Sequence, residues 1–195
     1  MRKTVTIITM AMLTLGISLS AGAQDKNKSE NLEIERIKQE SSILKEGDKA
    51  ADFTGKKFSG GTFNLSGHKG KVILLLFWGS WCPPCRHELR PENLPATLKE
   101  FRDNHDLVFQ PIAYKDTRVT LDKFFKGEEG RTIYSYLKPL TLVDEDKSIF
   151  NLYAKSGVPR SVIIGKDGVI AYVGLGSSEE GLKEIAVTLR KELAK

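Results

Sequence analysis

The sequence predicts an α/β fold: a central mixed β-sheet flanked by helices, with an N-terminal β-hairpin ahead of it. Three observations carry that expectation. Val72 to Trp78 is an unbroken run of seven apolar residues, which fits a strand covered on both faces. Strand-like and helix-like stretches alternate after it, as in a layered α/β sheet. Near the C-terminus, "SVIIGKDGVIAYVG" reads as two strands joined at Lys166-Asp167-Gly168, a hairpin signal that brings antiparallel pairing into the sheet.

The N-terminal segment stands apart. Arg2 and Lys3 precede an apolar run from Val5 to Leu19, followed by Ala21-Gly22-Ala23-Gln24. A positive start, a short apolar stretch and small residues at its end describe a secretory signal peptide over residues 1–23, cleaved after Ala23. The alternative is an uncleaved segment anchoring the chain to the inner membrane, although the run is short of the ~20 residues a spanning helix needs. No cysteine lies near the cleavage site, which leaves no place for a lipid there. Export implies a periplasmic, disulfide-permissive setting. The formal charge of +5 includes Arg2 and Lys3 and no acid from that segment, so cleavage leaves +3. Lysine and glutamate are interspersed with no basic stripe, which argues against a nucleic-acid partner. A 195-residue chain with 40% hydrophobic residues fills one core without a staple and leaves little room for a second full domain.

Residues 24–46 are polar and rich in Lys and Glu, with Leu32, Ile34, Ile37 and Leu44 hinting at a short amphipathic helix. They read as a lead-in to a single domain over 47–195. Two short alternating runs around Ser59-Gly60-Gly61 predict the hairpin. After the strand Val72–Trp78, Arg86 to Arg102 reads as helix, with Pro91 and Pro95 predicting a kink or break. Leu107 to Tyr114 predicts a second strand, and Val119 to Gly127 a helix closed by glycine. "LTLVDEDKSIFNLYAKSG" predicts a short strand, a turn and a helix stopped at Gly157. Leu182, Ile185, Leu189 and Leu193 recur at helical spacing and predict a terminal amphipathic helix.

Both cysteines of the chain, Cys82 and Cys85, sit in Trp81-Cys82-Pro83-Pro84-Cys85. A structural disulfide there closes a ring of about four residues and constrains the unfolded chain by only about 2 kcal/mol. A structural zinc site needs four ligands, and His68, His87 and His105 supply no second Cys-x-x-Cys or His pair. Haem attachment needs histidine where Arg86 stands. A redox pair fits best. After a buried strand, Cys82 falls at a helix N-terminus, where unpaired N–H groups and the macrodipole favour a thiolate. Cys85, one turn inward, is shielded and placed to resolve a mixed disulfide. Pro84 suits the first turn. Trp81, Pro83 and Pro84 form a flat apolar rim against which a peptide can lie.

The segment "FWGSWCPPCRHELRP" resembles the active site of the thioredoxin superfamily, and most of all its exported TlpA/ResA-like thiol–disulfide oxidoreductases. The resemblance runs from about Gly47 to the C-terminus, through "EGDKAADF", the hairpin, "GKVILLLFW", an inserted αβ segment and "GVPRSVIIGKDGVI". It implies a thioredoxin-like fold. It also implies disulfide exchange with protein substrates, without a cofactor beyond a Cys82–Cys85 disulfide and without a metal. By the same resemblance Cys82 is the nucleophile and Cys85 the resolving cysteine. Pro159, after Val158, is the cis-proline that faces the pair and orients the substrate backbone. Glu88 stands where this branch often has an active-site glutamate, and Cys85 and Glu88 are i, i+3 on one helix face. The buried acid that ordinary thioredoxins carry six positions before the first cysteine is Leu76 here, which leaves Glu88, water or the substrate to handle protons.

Two other classes remain. A peroxiredoxin-like enzyme shares the fold but needs Pro and Thr where Leu75 and Gly79 stand. A non-catalytic metal- or peptide-binding module is the other. With no histidine between the cysteines, the Cys82 thiolate is weakly stabilised, which points to a reductant or isomerase. A reductant outside the cytoplasm implies a membrane-bound electron donor. Its substrates are disulfide-bearing proteins, cytochrome c precursors among them by analogy with the family, and the protein is expected to be a monomer.

Overall fold

The computed structural model describes Ser29 and residues 31–195. The segment 1–23 read as a signal peptide lies outside the described residues. Residues 31–41 form helix α1, with i, i+3 ion pairs Arg36–Glu33 and Lys38–Glu35 at 2.6 and 2.7 Å. The compact body runs from Glu40 to Lys195, so it takes in residues 40–46, which the sequence alone assigns to the lead-in.

The hairpin forms as expected. β1 (Thr54–Lys56) pairs antiparallel with β2 (Thr62–Asn64). Its turn uses Gly60 and Gly61 at φ +98° and +80°, a region open to glycine at no steric cost.

β3 (Val72–Trp78) is buried at every position because it is the central strand of a five-stranded sheet in the order β5-β4-β3-β6-β7. β4 (Leu107–Tyr114) lies parallel to β3, and β5 (Leu142–Asp144) parallel to β4. β6 (Arg160–Ile164) and β7 (Ile170–Leu175) run antiparallel on the other side. Pro111 is tolerated in β4 because pairing with β5 starts only at Ile112. Alternate residues of β3 face different layers. Leu74, Leu76 and Trp78 join a core with Leu121, Phe125, Ile185 and Leu189. Ile73, Leu75 and Phe77 join another with Phe53, Phe63, Phe150 and Tyr153.

The helices differ from the sequence reading in three places. The expected helix over Arg86–Arg102 starts earlier and splits into α2 (Pro83–Glu88) and α3 (Leu94–Leu98). Pro91 lies in the break and Pro95 in the first turn of α3, positions that cost no internal hydrogen bond. α4 (Arg118–Lys126) is followed by α5 (Glu128–Thr132), which the sequence did not suggest. α6 (Phe150–Tyr153) stops well before Gly157, because Ala154 turns extended and bridges to Ser42. α7 (Glu179–Leu193) is capped by Ser178, whose Oγ accepts the Gly181 N–H at 3.0 Å.

Candidate active site

Everything at the site begins where β3 ends. Three residues after Trp78 the chain turns, and Cys82 becomes the N-cap of α2 in extended geometry. Pro83 and Pro84 occupy the first two helical positions. Neither has an N–H, so the first donor the helix offers is that of Cys85, which donates to Cys82 Sγ at 3.2 Å. Cys82 and Cys85 form a disulfide with Cα atoms 5.3 Å apart. Cys82 is 4% exposed and Cys85 fully buried, so a partner can approach only the first of the two.

The Val158–Pro159 peptide is cis and leads into β6. Its Val158 carbonyl oxygen lies 3.8 Å from Cys82 Sγ, and the Pro159 carbonyl accepts the Gly176 N–H at 2.9 Å. The structure therefore brings Val158 and Pro159 to the cysteine pair from 76 residues away.

Trp81 and Pro83 are exposed beside the disulfide. The Trp81 ring sits 6.4 Å from that of Tyr114 and covers Gly79. A Cβ on Gly79 would meet the indole at 2.7 Å. A threonine at this position, as a peroxide-binding motif requires, would displace Trp81. Leu76 is fully buried in the same core as both cysteines, so no carboxylate lies beneath them at that point of the sheet.

Glu88 is 3% exposed, and its Oε2 has no hydrogen-bond partner among the described residues. Burial pushes its carboxyl up to about 8, because desolvation penalises the charged form. On α2 it shares a face with Cys85, the next buried residue one turn earlier.

Several supporting residues carry no motif and were missed by sequence reasoning. Asp116, fully buried just after β4, accepts the Ser80 N–H and Ser80 hydroxyl, each at 2.7 Å, and the Thr120 hydroxyl at 2.9 Å. It pins the loop that delivers Cys82. Tyr134 and Tyr136 donate to the Arg86 and Leu89 carbonyls at 2.9 and 2.8 Å, which ties down the far end of α2. Burial raises both phenols. Glu129 of α5 reaches Arg86 at 3.2 Å and Arg90 at 3.5 Å. A run of aromatic and charged residues after α4 was the available signal, but nothing in it named the partner helix.

Comparison with known proteins agrees with this geometry. The AhpC/TSA family model matches residues 46–173. The thiol-disulfide oxidoreductase ResA of Bacillus subtilis is 26% identical over 139 residues, covering 71% of this chain and 72% of ResA. The thioredoxin-like protein YneN of the same organism is 31% identical over 137 residues, covering 69% and 74%. Among solved structures, a protein of Bacteroides thetaiotaomicron described as a proposed protein disulfide isomerase superimposes with a TM-score of 0.67 at 26% identity. That match covers 80% of this chain and 94% of the other. The chain accordingly belongs to the AhpC/TSA family and has its thioredoxin-like fold.

Proposed function

We propose that this thiol–disulfide oxidoreductase works outside the cytoplasm as a reductant of disulfides in protein substrates. The observation that carries the reading is Cys82 at the N-cap of α2, joined to buried Cys85 and facing the Val158 carbonyl of the cis peptide. In the dithiol form, the Cys82 thiolate attacks one sulfur of a substrate disulfide. The Cys82–substrate bond forms, the substrate S–S bond breaks, and one substrate thiolate leaves. Cys85 then loses its proton and attacks Cys82 Sγ, which releases the second substrate thiolate and closes the Cys82–Cys85 disulfide. Two electrons pass to the substrate, and an external dithiol donor, membrane-bound in this reading, restores the pair. The exchange runs on the two cysteines, with no bound cofactor.

Roles follow from placement. Trp81 and Pro83 offer an apolar rim to the substrate, and Val158 and Pro159 offer backbone beside the attacking sulfur. Glu88, with a carboxyl raised to about 8, matches the proton affinity of an ordinary thiol and serves as acceptor for the Cys85 proton. The signal-peptide pattern in residues 1–23 supports export. No helix among the described residues is long and apolar enough to cross a membrane.

Direction follows from donors. Pro83 and Pro84 remove two N–H groups at the helix N-terminus, and Arg86 is engaged with Glu129. A Cys82 thiolate is left with the Cys85 N–H as its hydrogen-bond donor. Weak thiolate stabilisation makes the disulfide a weak oxidant. Equilibration with a dithiothreitol couple tests this. The reading predicts a reduction potential below about −200 mV, and a value near the −120 mV of strong oxidants would overturn it.

A further inference from the structure

Arg160, the residue after the cis-proline, is 1% exposed. Burying a guanidinium normally demands a carboxylate partner, but Arg160 has none among the described residues. Its side chain reaches four neutral oxygens instead. One Nη donates to Ser41 Oγ at 2.6 Å and to the Ser156 carbonyl at 3.0 Å, and the other to Ser42 Oγ at 2.8 Å. Nε makes a longer contact of 3.4 Å with the Gly157 carbonyl. Burial lowers its basicity to about 10, so the group stays charged at neutral pH.

The backbone doubles this connection. Ser42 bridges to Ala154, the Lys155 N–H donates to the Ser41 carbonyl at 2.7 Å, and the Ile43 and Leu44 N–H groups donate to the Tyr153 carbonyl at 2.9 and 3.2 Å. Gly157 holds φ at +92°, and a Cβ there would crowd Leu175 at 2.8 Å while touching the guanidinium at an ordinary 3.5 Å. The loop from Ala154 to Pro159 is thus closed over a buried cation. Residues 41–44 form its outer wall, and Val158 at its inner end faces Cys82.

We propose that Arg160 is a positioning residue for disulfide exchange: by clasping Ser41 and Ser42 it holds the Val158–Pro159 loop in register with Cys82, with residues 41–42 as the anchor of that loop. The inference rests on the exchange reading above, in which a substrate backbone lies along that loop. A small aromatic disulfide that meets Cys82 alone needs no such register, and an extended peptide does.

The test compares two substrates on the full-length dithiol protein: an aromatic disulfide, 5,5′-dithiobis(2-nitrobenzoate), and a disulfide-bonded peptide. Arg160→Met can fail to fold, so Ser41→Ala/Ser42→Ala and Arg160→Lys carry the test. In single-turnover mixing, the clasp predicts that the double alanine variant loses roughly tenfold in second-order rate constant for the peptide, mostly through weaker peptide binding. It also predicts an aromatic disulfide rate within about twofold of the parent, and an intermediate Arg160→Lys variant. Equal losses on both substrates, or no loss on the peptide, would overturn it. A parent protein unable to reduce the peptide would instead sink the exchange reading itself.

Discussion

The sulfur of Cys82 lies 3.8 Å from the carbonyl oxygen of Val158, so the N-cap of α2 and the peptide leading into Pro159 form one surface. The contact exists because β3 and β6 are hydrogen-bonded neighbours in the sheet, with Phe77 opposite Arg160. Extending each strand past that pair places the cysteine box and the cis peptide at the same edge. The chemistry is built on strand register and not on the flexible tips of loops.

Glu88 gives the clearest kinetic prediction. To take the Cys85 proton it must be ionised, and its carboxyl titrates at about 8. The rate of mixed-disulfide resolution should climb as pH rises through that value. In Glu88→Gln the rate at pH 8 should fall by roughly 10²-fold, the usual yield of a positioned acid–base group, and the remaining climb should follow ionisation of the Cys85 thiol to solvent alone. Stopped-flow tryptophan fluorescence across pH 6 to 9.5 reads both. An unchanged profile would remove Glu88 from the proton path.

The same residue sets a stability slope. A carboxyl raised in the folded protein binds its proton more tightly there than in the unfolded chain. The stability it confers is fully present below the unfolded value of about 4.3 and is lost as pH rises through about 8. Urea unfolding of the oxidised protein should therefore show stability declining between those limits by up to about 1.4 kcal/mol per pH unit. Glu88→Gln should flatten this slope and be the more stable protein at pH 8.

Asp116 tests whether the loop before Cys82 is held from below. Its carboxylate accepts two hydrogen bonds from Ser80 and one from Thr120. Asp116→Ala removes the acceptor of the Ser80 N–H and hydroxyl in a half-buried place, at a cost of roughly 1–3 kcal/mol, while the Thr120 hydroxyl keeps the Thr117 carbonyl. Chemical denaturation measures the loss. Dithiol reactivity of the folded fraction should fall too, because Ser80 sits two residues from Cys82.

The cysteine box, the succession of strands along the chain and the hairpins were legible because each depends on local pattern: an apolar run, a glycine turn, two cysteines one helical turn apart. The short reach of α6 was not legible, since Ala154 abandons the helix to pair with Ser42, a partner 112 residues away. α5 was not legible either, because its five residues are too few to show a period. Asp116, Tyr134, Tyr136 and Arg160 support the site through hydrogen bonds that reach across long sequence gaps, and no motif marks such residues in advance. Leu76, by contrast, could be read directly, and the structure places it fully buried with both cysteines.

The central claim is that Cys82 attacks a substrate disulfide and Cys85 releases the product. Reduced Cys85→Ala protein, mixed with a disulfide-bonded peptide and analysed by intact mass spectrometry, tests it directly. The account predicts one peptide bound covalently through Cys82, released by dithiothreitol and missing when Cys82 is also changed to Ser. Failure to form that adduct, or an adduct that survives the loss of Cys82, would contradict it.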